Sequence, residues 1–293
     1  MGDFGDAERK IVAFMKVGEK FKFQGKHYSI ICSGKPTCYK GEPKTDIYIL
    51  AKSISDQIEI KISYKKENAD FIENKISAER AEQLLGSDWS NIIENSTISI
   101  NDRFKERMLI YKNKFKRTEK GAITLGWKFE LLNKKSGDLS GKLLLTEEQV
   151  FDVYAGSNLS DEKRNAMVNG KVVENSGIAN YILMKENVNS AQDVIDNMMS
   201  IKEYVKKHPD IYFACKALNY RTFKKKWDGD RPLAVQVLWN AKENRLVPKL
   251  IYDKPLVIKG NEVAERLLQY MKLLNIKTTD DIDNNNAGTD RIV

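Results

Sequence analysis

Residues 44–63 read KTDIYILAKSISDQIEIKIS, two short apolar runs at 47–51 and 58–62 around a polar 52–57. Such a pattern predicts two strands joined by a tight reversal. In the second strand Ile58, Ile60 and Ile62 fall on one face and Glu59, Lys61 and Ser63 on the other, because strand side chains repeat every two residues. With residues 53–56 as the turn, Lys52 lies opposite Gln57 and Asp46 opposite Ser63, diagonal to Lys61. A register shift would bring Asp46 nearer Glu59. Asp46, Glu59 and Lys61 are thus expected to converge on the polar face of a hairpin whose other face is buried.

Two carboxylates a few ångströms apart repel each other unless a cation lies between them, and hard oxygen donors with open positions suit magnesium. A neighbouring ammonium stabilises charge building up on a phosphate. The order Asp46, then Glu59-Ile60-Lys61 on the next strand, resembles the PD-(D/E)XK nuclease superfamily. The wider text, GEPKTDI at 41–47 and EIKISYKK at 59–66, is similar to the active-site segments of type II restriction endonucleases. The similarity covers about residues 6–100, and Thr45 stands where the family name has proline. It implies an α/β fold with a restriction-endonuclease-like core, a mixed central sheet flanked by helices. It also implies a magnesium-dependent phosphodiesterase, with manganese able to substitute. Asp46 and Glu59 would hold the metal and Lys61 would assist the attacking water, leaving a 5′-phosphate and a 3′-hydroxyl. Nucleases of this kind often add a glutamate from the first helix, which here would be Glu8.

Acid-x-Lys triples also occur at Glu8-Arg9-Lys10, Glu42-Pro43-Lys44 and Asp161-Glu162-Lys163 in a chain that is 31% charged. Only Glu59 lies in an alternating isoleucine run preceded at hairpin distance by an apolar strand carrying an aspartate.

The 293 residues carry a net charge of +8, and because residues 278–293 hold four Asp and one Arg, the remainder carries +11. That excess favours a polyanionic partner. Cys32, Cys38 and Cys215 show neither zinc spacing nor a disulfide framework, which fits a reducing cytoplasm, in a bacterium or in the host of a phage. No stretch approaches the ~20 apolar residues of a membrane span. With only His27 and His208, histidine-based nucleases and hydrolases are disfavoured.

An amphipathic helix is expected at 7–15, a strand at 27–32 and a loop at 33–43 leading into Asp46. Lys35, Lys40 and Lys44 in that loop, with Ser63 and Lys65 beyond the motif, are candidates to meet DNA phosphates. A helix at 69–85 and a strand at 97–100 would complete a catalytic core over residues 1–100. An α+β specificity region is assigned to 101–277, and a disordered tail to 278–293. Two cation and aromatic clusters stand out in the specificity region. The first contributes Lys114, Lys116 and Arg117, the second Tyr220, Arg221, Lys224, Lys225 and Lys226, followed by Arg231. Strands are expected at 123–131 and 210–217, a capping box at 146–149, and helices at 190–207 and from Asn261.

The expected function is site-specific cleavage of double-stranded DNA beside a cognate DNA methyltransferase, with a homodimer following from symmetry if the site is a palindrome. Two alternatives stay open: a structure-specific repair, recombination or phage nuclease, and a non-enzymatic DNA-binding protein.

Overall fold

The chain enters through helix α1 (Asp3–Phe14), a hairpin of β1 (Lys20–Phe23) and β2 (Lys26–Gly34), and a second hairpin of β3 (Ile47–Lys52) and β4 (Gln57–Tyr64). The computed structural model describes residues 3–39, 41–66, 71–185 and 187–293. It shows a mixed α/β protein divided into two units. Lys52 pairs with Gln57 and Ile47 with Ile62, the register that the turn residues predict. Ser53 N–H closes the turn on Asp56 C=O at 2.8 Å.

The first unit comprises residues 1–69, 83–86 and 145–209. Its six-stranded sheet runs β1-β2-β3-β4, then Tyr181–Leu183 and Met199–Ser200. Tyr181–Leu183 joins β4 in parallel, and the other neighbours are antiparallel. The apolar face of the hairpin, Ile47, Ile49, Ile60 and Ile62, packs with Ile11 of α1, with Met15 just after it, and with Val194 and Ile195 of the helix Ala191–Asn197. Fully burying each isoleucine is worth roughly 1.5–3 kcal/mol, so this face sets the register. The boundary expected near residue 100 is therefore corrected: residues 145–209 complete the sheet of the first unit. Thr146 and Gln149 form the expected capping box on the helix Glu147–Ala155.

The second unit comprises residues 70–82, 87–144 and 210–293. Its axis is the strand Ala122–Leu132, buried on both faces over most of its length and paired with Tyr212–Arg221 and with Val235–Lys242. Gly126 (φ 151°) lies where Val235 crosses, and a Cβ there would sit 2.4 Å from the Val235 carbonyl oxygen. Gly126→Ala is expected to cost about 2–3 kcal/mol in chemical denaturation, because backbone must shift to admit the methyl.

Several expected elements differ. Residues 97–100 are not a strand: Trp89–Ile98 is helical, with Ser96 Oγ donating to Ile92 C=O at 2.6 Å. The 69–85 segment holds a strand, Phe71–Glu73, before a helix, Ala78–Leu85. The 190–207 segment breaks into helices Ala191–Asn197 and Ile201–Lys207.

The tail expected to be disordered is ordered. Arg291 C=O accepts from Leu109 N–H at 2.9 Å, Val293 N–H donates to Ile110 C=O at 3.0 Å, and Ile292 bridges Ile110 in parallel. Removing residues 290–293 is expected to lower the unfolding midpoint of the second unit by several degrees in a thermal melt.

Candidate active site

Asp46 stands where the chain enters β3, and its N–H donates to Ile62 C=O at 2.8 Å. Its carboxylate Oδ2 accepts the N–H of Tyr64 at 2.7 Å, so the side chain caps the β4 edge one step beyond the last backbone pair. Burial pushes the Asp46 carboxyl up to about 6; the field of Glu8 adds to the rise, while Lys65, the Tyr64 hydrogen bond and Lys35 oppose it. Glu8 comes from α1 and Lys35 follows β2, and their side chains form an ion pair of 2.8 Å. Burial works against the Lys35 charge, but the bond and field of Glu8, with Glu42 and Asp46 behind it, leave its pKa raised. Lys65 follows β4, and its N–H is tied to Leu183 C=O at 2.9 Å.

Glu8, Lys35, Asp46 and Lys65 thus gather at one end of the six-stranded sheet, where β2 and β4 finish and β3 begins. Ser63, directly across from Asp46, is 2% exposed, and its Oγ has no hydrogen-bond partner among the described residues. Thr45 Oγ1 is likewise buried and unpartnered. Buried hydroxyls without partners are costly in a folded chain and mark a place where a further donor or acceptor fits.

The expected convergence of Asp46 with Glu59 is not found. Glu59 pairs with Leu50, four residues along β3 from Asp46, about 13 Å at ~3.3 Å per residue. One metal ion cannot bridge that span. Glu59 instead accepts a hydrogen bond from Tyr48 Oη, and Lys61 Nζ lies 3.8 Å from Glu59 and donates to Asn175 C=O at 3.0 Å. Asn180 holds this part of β4, accepting from Lys61 N–H at 2.7 Å and donating to Glu59 C=O at 3.0 Å. The aspartate faces Ser63-x-Lys65, which repeats the spacing of Glu59-x-Lys61 four residues further along the chain with a hydroxyl in place of the acid.

No protein-family model matches the chain. No curated protein and no solved structure is significantly similar to it either. The site therefore stands on its own geometry. Among the described residues no group of three or more His, Cys, Asp or Glu side chains is placed to hold a metal ion, and the donor set at the sheet end is two carboxylates and a hydroxyl.

Of the residues expected to meet DNA, Lys44 and Ser63 are corrected: Lys44 is 5% exposed and packed against Gly156, and Ser63 is 2% exposed. Tyr220 is corrected too, at 4% exposed. Arg221 is engaged by Asp228 through two bonds of 3.0 Å, and Lys224 by Glu119 at 2.8 Å. Lys114, Lys116, Arg117, Lys225, Lys226 and Arg231 are exposed. Lys40 lies outside the described residues. The sequence undervalued Lys65 and missed Asn180 and Tyr48; counting the hairpin register from the turn is the signal that places Ser63 opposite Asp46.

Proposed function

We propose that the chain is a magnesium-dependent DNA endonuclease of the PD-(D/E)XK kind, with its site at Asp46, Glu8 and Lys65. The observation that carries this reading is the Asp46 carboxylate, held at a desolvated sheet end beside a second carboxylate and two lysines. Capping the Tyr64 N–H needs only an oxygen acceptor, which a neutral amide would also supply, and a charge destabilised by its own fold is a mark of function. Asp46 and Glu8 supply hard oxygen donors that fit magnesium or manganese, with Ser63 Oγ a neutral third donor. Such an ion, when bound, supplies charge neutralisation at the phosphate and activation of water.

The chain's own groups do the rest. Lys65 offers an ammonium to the phosphate oxygen on which charge builds, and Lys35 holds Glu8 in place through its ion pair. Hydrolysis adds water across the P–O3′ bond, the hydroxyl going to phosphorus and the proton to the departing O3′. In this reading the fold is the restriction-endonuclease-like one, double-stranded DNA is the substrate, and a dimer and a partner methyltransferase belong to the site-specific form. The structure-specific form shares the same chemistry.

The test is incubation with plasmid DNA and magnesium or manganese: cleavage that survives Asp46→Ala sinks the assignment. Glu8→Gln is expected to weaken manganese binding in calorimetry at least tenfold. A chain that binds DNA with no heat from either cation would instead be a DNA-binding protein without catalysis.

A further inference from the structure

The two cation and aromatic clusters, about a hundred residues apart in the chain, meet in the second unit. Thr222 N–H donates to Gly121 C=O at 2.8 Å, and Lys224 pairs with Glu119 at 2.8 Å, which ties the 111–121 loop to the 221–226 turn. Gly121 (φ 85°) leaves the room that the Phe223 ring fills, since a Cβ there would lie 2.2 Å from it. Each loop carries an outward phenyl ring with a lysine over it: Lys116 lies 5.5 Å from the Phe115 centroid and Lys120 5.3 Å from that of Phe223. Phe115 is 38% exposed and Phe223 49%.

Around these rings Lys114, Lys116, Arg117, Lys225 and Lys226 are exposed and make no ion pair among the described residues. Beside Phe115 a cavity of about 490 Å³ is lined by Arg107, Tyr111, Lys116, Arg117 and Asp138 among others. Asp138 is paired with Arg107 at 2.9 Å, so among the lining side chains Lys116 and Arg117 outnumber the one remaining carboxylate, Glu106, beside the rings of Tyr111 and Phe115. The volume lies in the range of small-ligand sites.

We infer that this surface binds an unpaired stretch of DNA, with bases stacking on Phe115 and Phe223 and phosphates on the surrounding lysines and Arg117. A duplex buries the faces of its bases in its own stack, so exposed phenyl rings among cations match single strands, while cations alone would serve a duplex. The choice of DNA over RNA rests on the nuclease reading above. The substrate class is then DNA that carries unpaired nucleotides, such as a flap, junction or opened duplex.

The experiment is fluorescence anisotropy with the full Asp46→Asn chain and a labelled oligonucleotide offered as single-stranded DNA, blunt duplex or RNA of the same sequence. Single-stranded DNA is expected to bind at least tenfold more tightly than duplex. Phe115→Ala and Phe223→Ala should each weaken it about tenfold, and Phe115→Tyr should restore most of that loss. Lys116→Gln with Arg117→Gln should flatten the salt dependence by roughly 1.4 in log–log slope, two phosphates at ~0.7 each. Equal or tighter duplex binding, preference for RNA, or phenylalanine variants that bind as the parent does would overturn the inference. Cleavage by the unsubstituted chain reports separately on Asp46. Lost cleavage with intact strand binding sinks only the nuclease reading, and intact cleavage without strand preference sinks only this one.

Discussion

Asp46→Asn is expected to abolish DNA cleavage and, at neutral pH, to make the protein more stable. Burial pushes the carboxyl up to about 6, above the 3.8 of a free aspartate. Between those values the native state holds this proton more tightly than the unfolded chain, so the contribution of this one carboxyl to stability is fully present below about 4 and is lost as pH rises through 6. At ~1.36 kcal/mol per pH unit the penalty at pH 7.5 reaches at most about 3 kcal/mol. Asparagine keeps an oxygen to accept the Tyr64 N–H and cannot ionise, so it escapes that penalty. Urea denaturation at pH 5 and pH 7.5 should show the variant's advantage growing with pH. A variant less stable than its parent at pH 7.5 would mean that the carboxylate is structurally favourable, and the case for a functional acid would fall.

Lys65→Met should lower kcat at least a hundredfold while changing DNA affinity less than tenfold, the loss typical of one electrostatic contact made to developing charge. Lys61→Met should leave kcat within a few fold, since that ammonium is already engaged by Asn175 C=O and Glu59. Single-turnover kinetics on the same substrate separates the two lysines. If Lys61→Met is the dead variant and Lys65→Met the active one, the site is the other acid-x-Lys pair, and the register argument has been misapplied.

Those two lysines also show how far the sequence could be read. Turn residues and alternating isoleucines placed Lys52 opposite Gln57, and the structure has that pair. The same count puts Asp46 opposite Ser63, whereas the acid-x-Lys motif points to Glu59 and Lys61. The break in the 190–207 helix was legible, because Ser200-Ile201-Lys202-Glu203 is a capping box and Ser200 Oγ accepts from Glu203 N–H at 3.2 Å. Order at the tail was harder to see. Its Asp and Asn residues look like solvated composition, but Asp281 accepts from Lys277 and Thr278 N–H, and Asp283 from Asn285 and Asn286 N–H. Pairing of Tyr181–Leu183 with β4 leaves no local trace, for a three-residue strand more than a hundred residues away carries no periodicity.

That late strand governs how the protein must be made. A ribosome adding roughly 5–20 residues per second leaves the outer edge of β4 without its neighbour for roughly 6–24 s after Tyr64 has been built. Unpaired strand edges are templates for pairing with other nascent chains. Ending translation before residue 181 would make the exposure permanent, so such truncated chains should collect in the insoluble fraction while the full-length product stays in solution.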